Sequence, residues 1–129
     1  MAVTLIQDLR WGDTGKGKIS ERESHPDFCD VSVRAVGGGN AGHEIIRGTR
    51  KISLHLMPAG CLHDGVDVVL GRGMVTHPQT LLREMDEVKA TFGTDPTDRL
   101  FIAGENHILF DGHKLADAAM EEEKGDGAV

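Results

Sequence analysis

Two glycine-rich stretches hold the residues best suited to chemistry. The first reads Trp11-Gly12-Asp13-Thr14-Gly15-Lys16-Gly17-Lys18. It follows an apolar run at residues 3–6, expected to be a buried first strand, and precedes a stretch able to open a helix. In that setting glycines let successive backbone N–H groups face an anion, and the helix N-terminus adds a positive dipole. The spacing from Gly12 to Gly17-Lys18 fits the first seven positions of the phosphate-loop pattern. The eighth position is Ile19 rather than Ser or Thr, so the usual hydroxyl ligand for Mg²⁺ is missing. Asp13, inside the loop, offers oxygen in its place. A carboxylate beside phosphates is repelled unless a cation bridges them or it has a proton to take. Either condition points to chemistry in addition to binding. A plain surface turn rich in Gly and Lys is the bland alternative.

The second stretch, Gly37-Gly38-Gly39-Asn40-Ala41-Gly42-His43, also follows a strand-like segment. Its glycines free the backbone, and Asn40 offers both an amide donor and a carbonyl. His43 is the side-chain type best suited to proton transfer near neutral pH. Beside a phosphate it becomes more basic and can stabilise an oxygen that gains charge. Taken alone, His43 reads as a loop histidine bonded to a carbonyl. With the first loop in view, it reads as an acid.

The composition narrows the setting. A chain of 129 residues suffices for one domain with a modest core. A net charge of −7 disfavours a nucleic-acid groove but leaves room for a nucleotide, which needs only local N–H donors and cations. There is no 18-residue apolar run to span a membrane and no secretory signal at the N-terminus. Cys29 and Cys61 read as reduced thiols, which places the chain in the cytoplasm. The seven histidines lack metal-ligand spacing, so a zinc site is not expected. His55 reads as a hydrogen-bonded core or dimer residue. The run Glu121-Glu122-Glu123 reads as a solvated helix face.

The elements that must position the two loops follow from pattern. A short helix is expected over residues 19–23, stopped by Pro26. A second strand is expected over residues 30–36, alternating around Val31, Val33 and Val36. Residues 45–56 read as a β-hairpin turning at Arg47-Gly48-Thr49-Arg50. A third strand is expected at residues 66–70, ended by a loop at 71–73. An amphipathic helix follows over residues 78–92, with Leu81, Leu82, Met85, Val88 and Phe92 on one face. A fourth strand at residues 98–102 and a final helix at 113–123 complete the pattern. Strands alternating with glycine loops and helices imply an α/β fold with a P-loop-like, mixed but mostly parallel sheet, flanking helices and a β-hairpin. The glycine-rich ending at Lys124-Gly125-Asp126-Gly127-Ala128-Val129 reads as an interruption, so a truncated domain is expected.

Taken together, the two loops resemble the signature loops of adenylosuccinate synthetases. The likeness continues through Leu54-His55-Leu56-Met57-Pro58-Ala59-Gly60, Leu62-His63, Gly65-Val66, Gly71, Gly73 and Pro78. It runs more weakly to Arg99-Leu100 and His107. The resemblance implies that residues 1–129 are the N-terminal GTP/IMP-binding part of a GTP-dependent ligase. That ligase joins IMP to L-aspartate through 6-phosphoryl-IMP, in AMP synthesis and purine salvage. It implies that Asp13 is the base at N1 of IMP and His43 the acid towards GTP. Mg²⁺ would be bound by Asp13 and the carbonyl of Gly42. GTP would be contacted by Gly12, Asp13, Thr14, Gly15, Lys16, Gly17, Lys18, Gly42, His43 and Glu44. IMP would be contacted by Asp13, Thr14, Gly15, Lys16, Asn40, Ala41, Gly42 and His43. The family is a cytoplasmic homodimer, and the chain alone is expected to be inactive because the aspartate-binding and guanine-reading segments would lie beyond Val129.

The chain departs from the family's usual pattern at several points. The family has Glu where Thr14 stands, Asn at Gly39, Thr at Glu44, and Gly-x-Gln where Asp8-Leu9-Arg10 precede Trp11. Ala103-Gly104-Glu105-Asn106-His107 replaces its Ser-Asp-Arg-Ala-His. A glutamate at position 44 is unfavourable beside a triphosphate unless it turns away. This pattern suits a divergent, phage- or archaeal-like branch, whose members include ligases acting on dGMP to make 2-aminoadenine nucleotides. Retention of Asp13 favours IMP. A GTP-binding module or inactive fragment without ligase chemistry is the other alternative, and Asp13 and His43 argue against it, since a mere binder needs no acid and base.

Overall fold

A computed structural model describes residues 2–7, 9, 15–40 and 42–124, with the backbone alone for 122–124. Its element order is α1 (Lys16–Glu23), β1 (Val31–Gly37), β2 (His43–Arg47), β3 (Arg50–Leu54), β4 (Asp67–Thr76), α2 (Pro78–Phe92), β5 (Leu100–Ile102), β6 (His107–Ile108) and α3 (Asp111–Lys124). Short 3₁₀ turns at Ala59–Leu62 and Thr97–Arg99 link them. Among the described residues no helix is long and apolar enough to cross a membrane.

The sheet is built on β4, the longest strand. β1 runs parallel along one side of it, and β5 and then β6 pair with it in parallel as well. β2 and β3 form a separate antiparallel hairpin, closed by Gly48-Thr49, with Gly48 at φ 62°. The fold is therefore α/β and mostly parallel, with the expected hairpin appended.

The core lies between one face of the sheet, the hairpin and α2. It is formed by Ile45, Ile52, Leu54, Leu56, Met57, Leu62, Val68, Leu70, Met74, Leu81 and Val88. α2 starts on a His77 cap whose ring accepts from the Thr80 N–H, with Pro78 in its first turn, and ends at Gly93 with φ 78°. Its buried stripe is Leu81, Glu84 and Val88, with Met85 and Phe92 half-buried against the core.

Several expectations need correction. Residues 3–6 form no regular strand, and Val3 and Leu5 are 87% and 83% exposed. A four-residue run gains ladder hydrogen bonds only from a neighbour, and neither β1 nor β5 takes it up. The valines of β1 do alternate, but Val31, Val33 and Val36 face outward. The covered phase carries Ser32, because Gly60 passes so near that a Cβ on it would stand 2.3 Å from that of Ser32. Leu82 is exposed and Glu84 is buried in its stead.

The glycines at 71 and 73 do not end β4. The strand runs on to Thr76, with a bulge where Arg34 pairs with Leu70 but Val36 pairs with Gly73. A Cβ on Gly71 would meet the Ala35 Cα at 2.9 Å, so these glycines admit a neighbouring backbone.

Candidate active site

α1 begins inside the first glycine loop, three residues earlier than its apolar pattern suggests. Gly15 sits before it at φ 82°, a left-handed conformation glycine takes without strain. The Gly15 carbonyl accepts from the Lys18 and Ile19 N–H groups at 3.1 and 3.3 Å. Lys16 and Gly17 open the helix, so their N–H groups have no acceptor inside it. Gly12, Asp13 and Thr14 lie outside the described residues, as does Ala41.

The helix start lies directly on the strand that carries the second loop's histidine. A Cβ placed on Gly17 would stand 3.1 Å from the Glu44 carbonyl oxygen and 3.3 Å from the His43 Cβ. The fold thus brings together Lys16, Gly17, Gly42, His43 and the backbone of Glu44. The Glu44 carboxylate turns across the hairpin to Lys51, at 2.6 Å. Asn40 lies in the wall of a cavity of about 680 Å³. Gly37–Gly39, Val75, Thr80, Arg83 and Lys114 also line that cavity.

Electrostatics sets the resting state of His43. Burial lowers its pKa to about 4, aided by the positive fields of Arg34 and Lys16 and by His55. Its Nδ1 lies 3.5 Å from an Arg34 Nη1. The imidazole is therefore neutral at pH 7.

Three residues that the sequence reading did not place at the site belong to it. Arg34 occupies the inward phase of β1, and burial lowers its pKa while Glu84 partly restores it. His55 lines the cavity and packs on Gly42, where a Cβ would stand 2.9 Å from its Cε1. Its Nδ1 is buried without a partner among the described residues. Glu84 holds that segment: its carboxylate accepts from the His55, Leu56 and Met57 N–H groups at 2.8 to 3.1 Å. A glutamate on the apolar stripe of a helix was the available signal.

A glycine-capped helix start facing a second glycine loop with its histidine, on a mostly parallel sheet, defines an α/β protein of the P-loop-like fold class. The particular family follows from comparison: the adenylosuccinate synthetase profile matches residues 5–129, and the chain belongs to that family. The adenylosuccinate synthetase of Theileria parva is 44% identical over 124 residues, covering 96% of this chain and 28% of the relative. That of Plasmodium falciparum is 42% identical over 122 residues, covering 95% and 26%. The fully ligated Plasmodium falciparum enzyme superposes with a TM-score of 0.78 at 43% identity, over 89% of this chain and 26% of that one. The cyanophage S-2L succinoaminodeoxyadenylate synthetase, solved with dGMP and dATP, gives 0.69 at 21% identity, over 87% and 31%, a likeness of fold. The chain thus spans little more than a quarter of the length of these adenylosuccinate synthetases.

Proposed function

We propose that residues 1–129 form the GTP- and IMP-binding part of an adenylosuccinate synthetase. The supporting observation is the contact of Gly17 with His43, which joins a phosphate-binding helix start to a candidate acid. In this reading the N–H groups of Gly15, Lys16 and Gly17 and the ammonium groups of Lys16 and Lys18 grip the GTP phosphates. Asp13 takes the proton from N1 of IMP, so electron density moves to O6. O6 then attacks the γ-phosphorus, the bond to the β,γ-bridging oxygen breaks, and GDP leaves. His43 donates a hydrogen bond to the phosphoryl oxygens as their charge grows, and the triphosphate in turn makes the imidazole more basic. The aspartate amine next adds at C6, and phosphate departs with O6.

Mg²⁺ fits this arrangement in part of its donor set. Gly42 is exposed, and its backbone carbonyl is a hard oxygen of the kind Mg²⁺ takes. With Asp13 it would hold the metal, which when bound offsets charge on the phosphates. Asn40, in the wall of the large cavity, would contact IMP. A homodimer and a cytoplasmic setting accompany this reading.

A dGMP-directed ligase is the second reading. Gly39 bears on it, because the family's Asn is lost at this position and with it an amide able to contact the purine nucleotide. The test offers IMP and dGMP separately to the full-length protein with GTP, aspartate and Mg²⁺. Formation of adenylosuccinate supports the first reading. Product from dGMP alone supports the second, and binding of GTP without turnover of either contradicts both.

A further inference from the structure

We propose that Arg47 is a positioning residue, clamping α1 to β2 so that the phosphate loop and His43 address one nucleotide. The proposal rests on the ligase reading above for its catalytic meaning. α1 itself has no buried residue, so no apolar face fixes it to the body of the protein. Its first turn touches β2 at Gly17, and its last turn is tied to the same strand through Glu21. Arg47 lies four residues beyond His43, at the end of β2. Its Nε and Nη2 donate to Glu21 Oε1 at 3.0 and 2.6 Å. Nη1 donates to the Leu62 carbonyl at 3.2 Å, and Nη2 lies 2.9 Å from His63 Nε2. The guanidinium also stacks over the Phe92 ring, 5.6 Å from its centroid.

One side chain therefore joins α1, β2, the 3₁₀ turn before His63, and α2. An isolated exposed ion pair contributes little to stability. This one differs because the Glu21 side chain is only 20% exposed and His63 is 9% exposed, and it adds a tie to β2 beside the buried 3.2 Å hydrogen bond that Ser24, at the helix C-cap, shares with Ser32 of β1. The planar fork supplies several donors in fixed directions, which a lysine ammonium does not reproduce. The two attachments of α1, at Gly17 and at Glu21, fix both the height and the tilt of the helix start against His43.

The test uses the full-length protein with Arg47→Met, Glu21→Gln, the double variant and Arg47→Lys. Ile52→Ala, a buried core change in the same hairpin, is the control. Three readouts are taken: turnover at saturating substrates, GTP affinity, and the nuclear Overhauser effect between Gly17 and His43 protons. Arg47→Met and Glu21→Gln should each weaken that effect and lower turnover roughly 10- to 100-fold, the scale of a small misplacement. GTP affinity should change less than about threefold. The double variant should match the singles, since both break one link, and Arg47→Lys should fall between. Ile52→Ala should lose melting temperature but retain parent turnover. A parent-strength Gly17–His43 effect in both Arg47→Met and Glu21→Gln overturns the proposal. So does an equal turnover loss in Ile52→Ala. If the parent shows no turnover, the ligase reading fails, while the Overhauser effect still decides whether Arg47 holds the helix.

Discussion

Gly17 and His43 touch across two elements: a methyl group on the first would stand 3.3 Å from the Cβ of the second. Glycine suits that position through its small size rather than its backbone conformation. Gly17→Ala should force α1 away from β2, at an overpacking cost of about 1–3 kcal/mol. We expect weaker GTP binding and slower turnover together, read by calorimetry and steady-state kinetics. Parent values for both would show that the contact is loose.

Lys18 tests the phosphate grip separately from that contact. Lys18→Ala removes a charge-assisted donor and should weaken GTP binding by roughly 1.5–3 kcal/mol in the full-length protein. Equal affinity for parent and variant would remove Lys18 from the site.

Glu84 accepts with its two carboxyl oxygens from three successive backbone N–H groups just past the hairpin. Glu84→Gln replaces one acceptor by an NH₂ that faces a donor. The change should cost about 1–3 kcal/mol, the penalty of a buried polar group left unpaired. The check is the urea midpoint, and His55 and Gly42 resonances should shift with it. A midpoint equal to the parent's would contradict the assigned role.

His63 makes stability depend on pH in a definite direction. Burial, then the nearby Arg47, lowers its pKa in the fold, against a smaller raising effect of Glu21. The folded state therefore favours neutral His63, and its contribution is full above the unfolded value of about 6.5. As pH falls below that value the unfolded chain takes up the proton first, and stability drops. Urea midpoints at pH 7.5 and 5.5 should differ more for the parent than for His63→Gln. An equal difference would show that His63 does not titrate against the fold.

Much of this architecture is legible in the sequence because it rests on local signals. The hairpin follows from Gly48 between two apolar runs, and α2 from its period beginning at Pro78. The loop histidine and the lysines were visible as residue types at telling spacings. What stayed hidden depends on distant packing. Nothing local shows that Val31, Val33 and Val36 face outward, since alternation gives the period and leaves the phase open. Gly71 and Gly73 look like a loop until Ala35 is seen against them. Arg34 on β1, His55 just past β3 and Glu84 on α2 join the site from three separate parts of the chain, and only the fold brings them together.

The account stands most directly on Asp13 and His43. Asp13→Asn keeps the shape of the side chain but removes a base and a charged oxygen ligand, and His43→Asn removes the acid. In the full-length protein each should lower turnover by at least ~10²-fold, the usual contribution of one acid–base group, while GTP affinity changes far less. Because both act on one phosphoryl transfer, the double variant should lose much less than the product of the single losses. The deciding measurement is steady-state turnover beside GTP affinity for the two single variants and the double. Large losses in turnover with near-parent affinity are what the ligase account predicts. Near-parent turnover in Asp13→Asn, or losses in both variants traced wholly to GTP affinity, would contradict it and leave a nucleotide-binding module.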